Sequence, residues 1–263
     1  MSSSYEASTN RPATLITGAS AGIGAALARV FARNGHAIVL VARRDDKLAA
    51  LADAIASDGG PRPQVLAVDL GRPGAVDRLA DALHALSVEP DYVVNNAGFG
   101  LVGPAAALDR AEQLAMVDLN VRVLTDLSLR FVESLARQRG GILNVGSLAG
   151  FMPGPNMAVY HATKAYVLSF TEALHIELKP KGVRVTALCP GPVATEFQAR
   201  AGMPANYFPR LLLRSAERVA QDGYDGLMQG RSLVVPGFAN RLATMLPRLL
   251  PRALVLSTAR GDR

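Results

Sequence analysis

Cysteine is nearly missing from this 263-residue chain, and the one present, Cys189, leaves no partner for an internal disulfide and no cysteine-rich metal site. The four histidines, His36, His84, His161 and His175, stand apart, with no pair at i, i+4 and no grouped carboxylate, so no metal is expected. Tryptophan is absent and aromatic residues make up only 5%. That scarcity, with no basic run longer than two residues, argues against nucleic acid as a partner despite a net charge of +6. No stretch reaches the ~20 apolar residues of a membrane span. The start, Met1-Ser2-Ser3-Ser4-Tyr5-Glu6, carries neither the basic nor the apolar part of a secretory leader. A short frayed tail over 1–12 and a cytoplasmic location are therefore expected.

Hydrophobic residues are plentiful at 49%, charged ones reach 19%, and no window is polar enough for a disordered domain. Strand-like apolar runs alternate with amphipathic segments over 13–240, the pattern of repeated βαβ units in one α/β domain. The runs are Thr14–Thr17, Ala37–Ala42, Val65–Val68, Tyr92–Asn95, Ile142–Val145, Val183–Leu188 and Leu233–Val235. Helices are expected over Gly22–Arg33, over Lys47–Ala56 behind an Asp45 or Asp46 cap, and near Ala75–Leu86. Asp109-Arg110-Ala111-Glu112 resembles a capping box opening a long helical stretch to Arg139. Further helices run from Met157 to Leu178 and from a Ser215 cap to Met228.

Two segments break the alternation. Residues 193–214 are too long and too apolar for an ordinary connection and read as a mobile lid over an apolar pocket. Residues 241–263 are Leu-rich but interrupted by Pro247 and Pro251, with Arg248 and Arg252 beside them. They read as a tail packed on the domain or a partner subunit, with peripheral membrane contact as the rival.

Chemistry concentrates at a few places. Tyr160 and Lys164 lie four apart on one helix, so they share a face, and an ammonium beside a phenol favours phenolate. That would bring a phenol of ordinary pKa ~10 towards the range of a working acid. Thr17-Gly18-Ala19-Ser20-Ala21-Gly22-Ile23-Gly24 joins the first strand to the first helix, where bare backbone N–H groups and the helix dipole favour a pyrophosphate. Its spacing, Gly18-x3-Gly22-x-Gly24, differs from G-x-G-x-x-G. Cys189 has no evident base and reads as an inert buried thiol. His161 points away from Tyr160 on the helix and reads as structural.

Taken with Asn95-Asn96-Ala97-Gly98, Ser147 and Pro190-Gly191, these motifs resemble the short-chain dehydrogenase/reductase family from Ala13 to about Gly237. The resemblance implies one doubly wound Rossmann-type domain, a seven-stranded parallel sheet ordered 3-2-1-4-5-6-7 with helices on both faces. It implies that Tyr160 is the general acid or base, that Lys164 acidifies it and bonds the nicotinamide ribose, and that Ser147 holds the substrate carbonyl. Asn120 would keep a water beside Lys164. Gly18, Ser20, Gly22, Ile23, Gly24, Asp69, Leu70, Asn96, Ala97, Gly98, Pro190, Gly191, Val193 and Thr195 would meet the cofactor. Phe99, Phe151 and Phe197, with Gly100, Val102, Met152 and Pro153, would line the substrate pocket. Relatives imply a homodimer or homotetramer.

The end of strand two decides between NAD(H) and NADP(H), because a carboxylate there bonds the ribose 2′-OH and repels a 2′-phosphate. Here the chain reads Val41-Ala42-Arg43-Arg44. Ala42 stands where NAD-using relatives carry Asp, and Arg43, ahead of Arg44, can fork onto a phosphate for about 1.5–3 kcal/mol. NADP(H) is the expectation over NAD(H); the bland alternative is two arginines solvating a helix start. The expected activity is hydride transfer between NADPH and a hydrophobic aldehyde or ketone, or the reverse. A 3-oxoacyl thioester reductase and a non-catalytic NADP(H) sensor are the alternatives.

Overall fold

Ile16, Leu40, Leu143 and Leu188 point to one side of a sheet while their neighbours Leu15, Val39, Ile142 and Val185 point to the other, and all eight are buried. This two-sided burial is why the strands read as continuous apolar runs rather than alternating ones. The computed structural model describes residues 10–202, 212–251 and 255.

Seven strands form one all-parallel sheet: β1 (Arg11–Thr17), β2 (Ile38–Ala42), β3 (Gln64–Ala67), β4 (Val88–Asn95), β5 (Gly141–Val145), β6 (Arg184–Leu188) and β7 (Leu233–Val234). Their order is β3-β2-β1-β4-β5-β6-β7, as the resemblance implied. The order reverses between β1 and β4, which leaves a crevice at the carboxyl ends of these two strands. On one face lie α1 (Gly22–Arg33), α2 (Asp45–Ser57) and α9 (Ala216–Met228), packed on a core that includes Phe31 and Leu227. The other face carries α3 (Ala75–Ala85), α5 (Leu124–Arg130), α6 (Val132–Gln138) and α7 (Ala158–Leu178), and α4 (Arg110–Val117) packs its Met116 against Met157 and Tyr160 beside α7. Each fully buried Leu or Ile contributes about 1.5–3 kcal/mol, so the two cores together hold the sheet without staples.

Several boundaries differ from expectation for identifiable reasons. β4 begins four residues early and contains Pro90; its pairing with β1 slips at Ala13/Thr14, leaving Asp91 as the extra residue. Such a bulge is how a strand tolerates a proline that cannot donate to the ladder. The long helix to Arg139 is interrupted by a π-helical turn over Asp118–Val123 and by Phe131 between α5 and α6. Asp109 does cap it, its carboxylate accepting from the Glu112 N–H at 2.8 Å, and Ser215 caps α9 through the Arg218 N–H. α2 starts at Asp45, and its cap position is Arg44, whose side chain makes no cap hydrogen bond.

The C-terminal reading changes most. A helix, α10 (Phe238–Leu249), begins before the expected tail and runs through Pro247. Asn240 and Thr244 turn inward while Phe238, Leu242 and Met245 stay exposed, so the helix is amphipathic from its start. Of the expected lid, residues 203–211 lie outside the described part, as do most of 252–263. The lid's two ends meet where Val193 pairs with Arg214 and the Arg214 N–H reaches the Pro192 carbonyl at 3.1 Å. Between them a short helix, α8 (Glu196–Arg200), follows Thr195. No helix among the described residues is long and apolar enough to cross a membrane.

Candidate active site

The turn after β1 can pass so tightly because it has almost no side chains. Gly18 and Gly22 adopt left-handed φ of 64° and 57°, which other residues rarely hold. A Cβ on Gly24 would stand 2.4 Å from the Gly18 carbonyl oxygen and from Asn96 Nδ2. Gly24 therefore lies beneath the turn, letting α1 approach the strand, whereas Gly18, Ser20, Gly22 and Ile23 face the crevice. The turn is tied to the end of β4 by two residues. Thr17 Oγ1 accepts from the Asn96 and Ala97 N–H groups at 3.0 and 3.1 Å, and Asn96 Nδ2 donates to the Thr17 and Gly18 carbonyls. Thr17 had no assigned role at the sequence level; its place as the last β1 residue before the turn was the only signal.

Across β4 and β5 a buried polar chain supports the floor. Asn95 Nδ2 donates to Asn144 Oδ1 and Ser128 Oγ, both at 2.9 Å, and Asn144 Nδ2 donates to Thr171 Oγ1 on α7. Asn120 sits in the π-helical turn, a wider turn that recurs at functional sites. Its amide exchanges hydrogen bonds with the Phe99 backbone, at 3.1 and 3.0 Å, and donates to Thr163 on α7. Asn120 thus clamps the Asn95–Phe99 strand end to the helix that carries Tyr160 and Lys164.

Tyr160, Lys164 and Ser147 come together at one edge of a groove of about 1250 Å³ that runs over β1, β4 and β5. Ser147 opens a 3₁₀ turn, Leu148–Phe151, its hydroxyl accepting from the Ala149 N–H at 3.1 Å. The Leu148 N–H reaches the Pro190 carbonyl at 3.0 Å, joining this turn to the Pro190-Gly191-Pro192 loop. Lys164 Nζ donates to the Val145 carbonyl at 2.8 Å and lies 5.9 Å from the centre of the Tyr160 ring.

The electrostatics correct one expectation. Burial pushes the Tyr160 phenol up to about 12, against the lowering effect of its hydrogen bond with Ser147. Burial likewise brings the Lys164 ammonium down to about 8. Desolvation is the largest cause of both shifts, and the acidifying effect expected of the ammonium on the phenol is not among the influences that set the Tyr160 shift. At neutral pH the site holds a protonated phenol beside an amine that is still mostly charged. Cys189 is buried with its thiol pushed up to about 12, first by burial, which suits the inert reading.

Most expected residues line the groove: Arg43, Arg44, Asp69, Leu70, Asn96, Ala97, Gly98, Phe99, Pro190, Gly191, Val193, Thr195 and Phe197. Phe151 does not. The 3₁₀ turn puts Leu148 and Phe151 on one side, and Phe151 packs with Leu168, Cys189 and Val235 instead. Asp69 bends back to accept from the Gly71 N–H at 3.1 Å. His161 also lines the groove, although its ring is held by the Met152 carbonyl at 2.7 Å and so steadies the loop after Ser147. Asn240 on α10 went unnoticed in the sequence. It is buried, donates to the Pro236 and Leu212 carbonyls, and stands so close to Gly191 that a Cβ there would lie 2.6 Å from its amide.

Arg44 spans the mouth: its Nε and Nη2 donate to Ser20 Oγ at 3.3 and 3.0 Å, and its Nη1 meets Glu196 Oε2 at 2.8 Å. Arg43 is exposed beside it. A glycine-rich turn, a helix N-terminus and two arginines are what a phosphate-rich, extended molecule requires, and a groove of about 1250 Å³ has room for one.

The short chain dehydrogenase family model matches residues 12–204. Sulfoacetaldehyde reductase 2 from Chromohalobacter salexigens is 37% identical over 186 residues, which is 70% of this chain and 73% of that protein. A short-chain dehydrogenase from Sphingobium yanoikuyae, solved in complex with NADPH, superposes with a TM-score of 0.80 at 31% identity, covering 96% of this chain and 98% of that one. The bulky-bulky ketone specific alcohol dehydrogenase from Comamonas testosteroni has a TM-score of 0.76 at 29% identity, over 97% of each chain. Motif order, strand order and these likenesses agree that the chain belongs to the short-chain dehydrogenase family of oxidoreductases.

Proposed function

We propose that the protein is an NADP(H)-dependent oxidoreductase that interconverts a hydrophobic aldehyde or ketone and its alcohol, with Tyr160 as proton donor and acceptor. The observation that carries this reading is that Ser147, Tyr160 and Lys164 meet at one edge of a groove whose other end is lined by Arg43 and Arg44. Ala42 ends β2 in place of the carboxylate that would bond a 2′-hydroxyl and repel a 2′-phosphate. The relative solved with NADPH supports the same choice.

NADPH, when bound, supplies the hydride to the carbonyl carbon. The Ser147 hydroxyl orients the carbonyl oxygen, and Tyr160 gives its proton to the oxygen as negative charge develops there. A phenol kept protonated by burial is loaded for that donation. The phenolate left behind is stabilised by the Lys164 ammonium, and its proton is restored from solvent through Lys164 past the Asn120 turn. Phe99, Leu101, Met152, Pro153 and Phe197 make the substrate end of the groove apolar. Two relatives named above, a sulfoacetaldehyde reductase and a bulky-ketone alcohol dehydrogenase, fit a carbonyl substrate; the second alone fits a bulky apolar one, because sulfoacetaldehyde is a small anion. A homo-oligomer is part of the reading, supported by Leu114, Leu129 and Ile176, which stay exposed on α4, α5 and α7.

The test is NADPH oxidation against a panel of aldehydes, ketones and one carrier-bound 3-oxoacyl thioester. Tyr160→Phe is expected to lose at least about a hundredfold in kcat on any active substrate while keeping NADPH affinity. Wild-type turnover by that variant refutes the mechanism.

A further inference from the structure

Glu196, the first residue of α8, reaches back across the groove mouth to the start of α2. One carboxylate oxygen meets Arg44 Nη1 at 2.8 Å and the other meets Lys47 Nζ at 2.6 Å. Arg44 is held in this direction from its other side by Ser20 in the glycine turn. We infer that Glu196 is a built-in stand-in for the cofactor's 2′-phosphate, occupying the cations of that subsite, so that NADP(H) binds by taking Arg44 and Lys47 from α8. The inference rests on the NADP(H) assignment proposed above, and it names two residues, Lys47 and Glu196, as determinants of phosphate specificity.

The chemistry of the exchange is simple. A carboxylate and a phosphate monoester are both oxyanions that accept the same charge-assisted hydrogen bonds from guanidinium and ammonium. They cannot share the cations at contact distance, because like charges repel. Arg200, four residues on, feels the same cationic corner: its guanidinium is made less basic by burial first, and then by Arg43 and Arg44. Arg43 and Arg200 thus add cations near the Arg44–Glu196–Lys47 cluster, with Glu112 and Asp69 as the carboxylates that offset them.

The latch also connects the two ends of the groove. α8 carries Phe197, whose ring lies 5.6 Å from the Tyr160 ring, and Arg200, whose guanidinium lies 4.7 Å over the Phe99 ring. Releasing Glu196 frees the start of the segment that walls the substrate end. NADP(H) would exchange with the latch; NAD(H), with a bare 2′-hydroxyl, would leave it closed.

The experiment is equilibrium binding of NADP⁺, NAD⁺ and adenosine 2′,5′-bisphosphate to wild type, Glu196→Gln and Lys47→Gln, with melting curves as a check of folding. Glu196 is 55% exposed, so its neutral isostere is expected to fold normally. Glu196→Gln should tighten NADP⁺ and the bisphosphate by about three- to tenfold, the range that one or two exposed ion pairs supply, and leave NAD⁺ within about twofold. Lys47→Gln should weaken NADP⁺ and the bisphosphate but not NAD⁺. If wild type prefers NADP⁺ and Glu196→Gln leaves that preference unchanged, or shifts NAD⁺ equally, the stand-in role is refuted while the cofactor assignment survives. If wild type binds NAD⁺ as tightly as NADP⁺, the assignment itself falls and takes the inference with it.

Discussion

Replacing Lys164 with methionine should make the protein more stable and inactive at once. Lys164 is 7% exposed, and burial lowers its pKa from 10.5 to about 8. At about 1.4 kcal/mol per pKa unit, keeping the amine charged in the fold costs about 3 kcal/mol at pH 7 relative to the unfolded chain. Methionine fills nearly the same volume without that charge. Against the gain stands the Val145 carbonyl, which loses its donor at 2.8 Å, a loss of about 1 kcal/mol. The net expectation for Lys164→Met is a stabilisation of about 1–2 kcal/mol at pH 7, or a rise in Tm of several degrees.

The pH dependence gives the sign its own check. The folded pKa lies below the unfolded one, so between pH 8 and 10.5 the unfolded chain binds more protons and wild-type stability rises with pH. The variant has no such rise. The two proteins should therefore converge as pH goes from 7 to 9.5, before Tyr160, raised to about 12, reverses the trend above pH 10. Urea unfolding without cofactor at pH 7, 8.5 and 9.5 measures this directly. A variant less stable than wild type at pH 7, with a gap independent of pH, would refute the claim that Lys164 is held charged at a desolvation cost.

Three further outcomes are expected. Gly24→Ala places a Cβ 2.4 Å from the Gly18 carbonyl oxygen, a backbone atom that cannot rotate away, so the urea midpoint should fall by the equivalent of at least about 2 kcal/mol. Thr17→Val keeps the shape but leaves the Asn96 and Ala97 N–H groups without their acceptor; about 2–4 kcal/mol of stability and most cofactor affinity should go, read by denaturation and by NADPH titration. Ala42→Asp introduces the missing carboxylate at the end of β2, and should weaken NADP⁺ by about ten- to hundredfold while NAD⁺ holds or improves; equal loss of both dinucleotides would contradict the placement of the 2′-phosphate.

Strand number, strand sequence and the helix of Tyr160 and Lys164 were readable because they depend on neighbours along the chain. A strand buried on both faces must be apolar throughout, a glycine turn must lack side chains, and a four-residue spacing must share a helix face. The same locality misled at Pro90, absorbed by a bulge opposite Ala13, and at Pro247, which α10 passes through while Asn240 on its inner face bonds the Pro236 and Leu212 carbonyls. Nor could the π-helical turn at Asn120 be read, since its residues have ordinary helical character and the turn is held by hydrogen bonds to Phe99 and to α7.

Local order in the chain sufficed for the family and the parallel sheet, and for naming the side chains proposed to react, because each rests on spacing or on composition within one element. What folding alone settled were the relations between distant residues. Glu196 finds Arg44, 152 positions earlier, Phe151 turns away from the groove to Cys189, and burial is the largest cause that raises the Tyr160 pKa and lowers that of Lys164. Desolvation and long-range charge pairing belong to the packed interior, and no pattern along the chain encodes their balance.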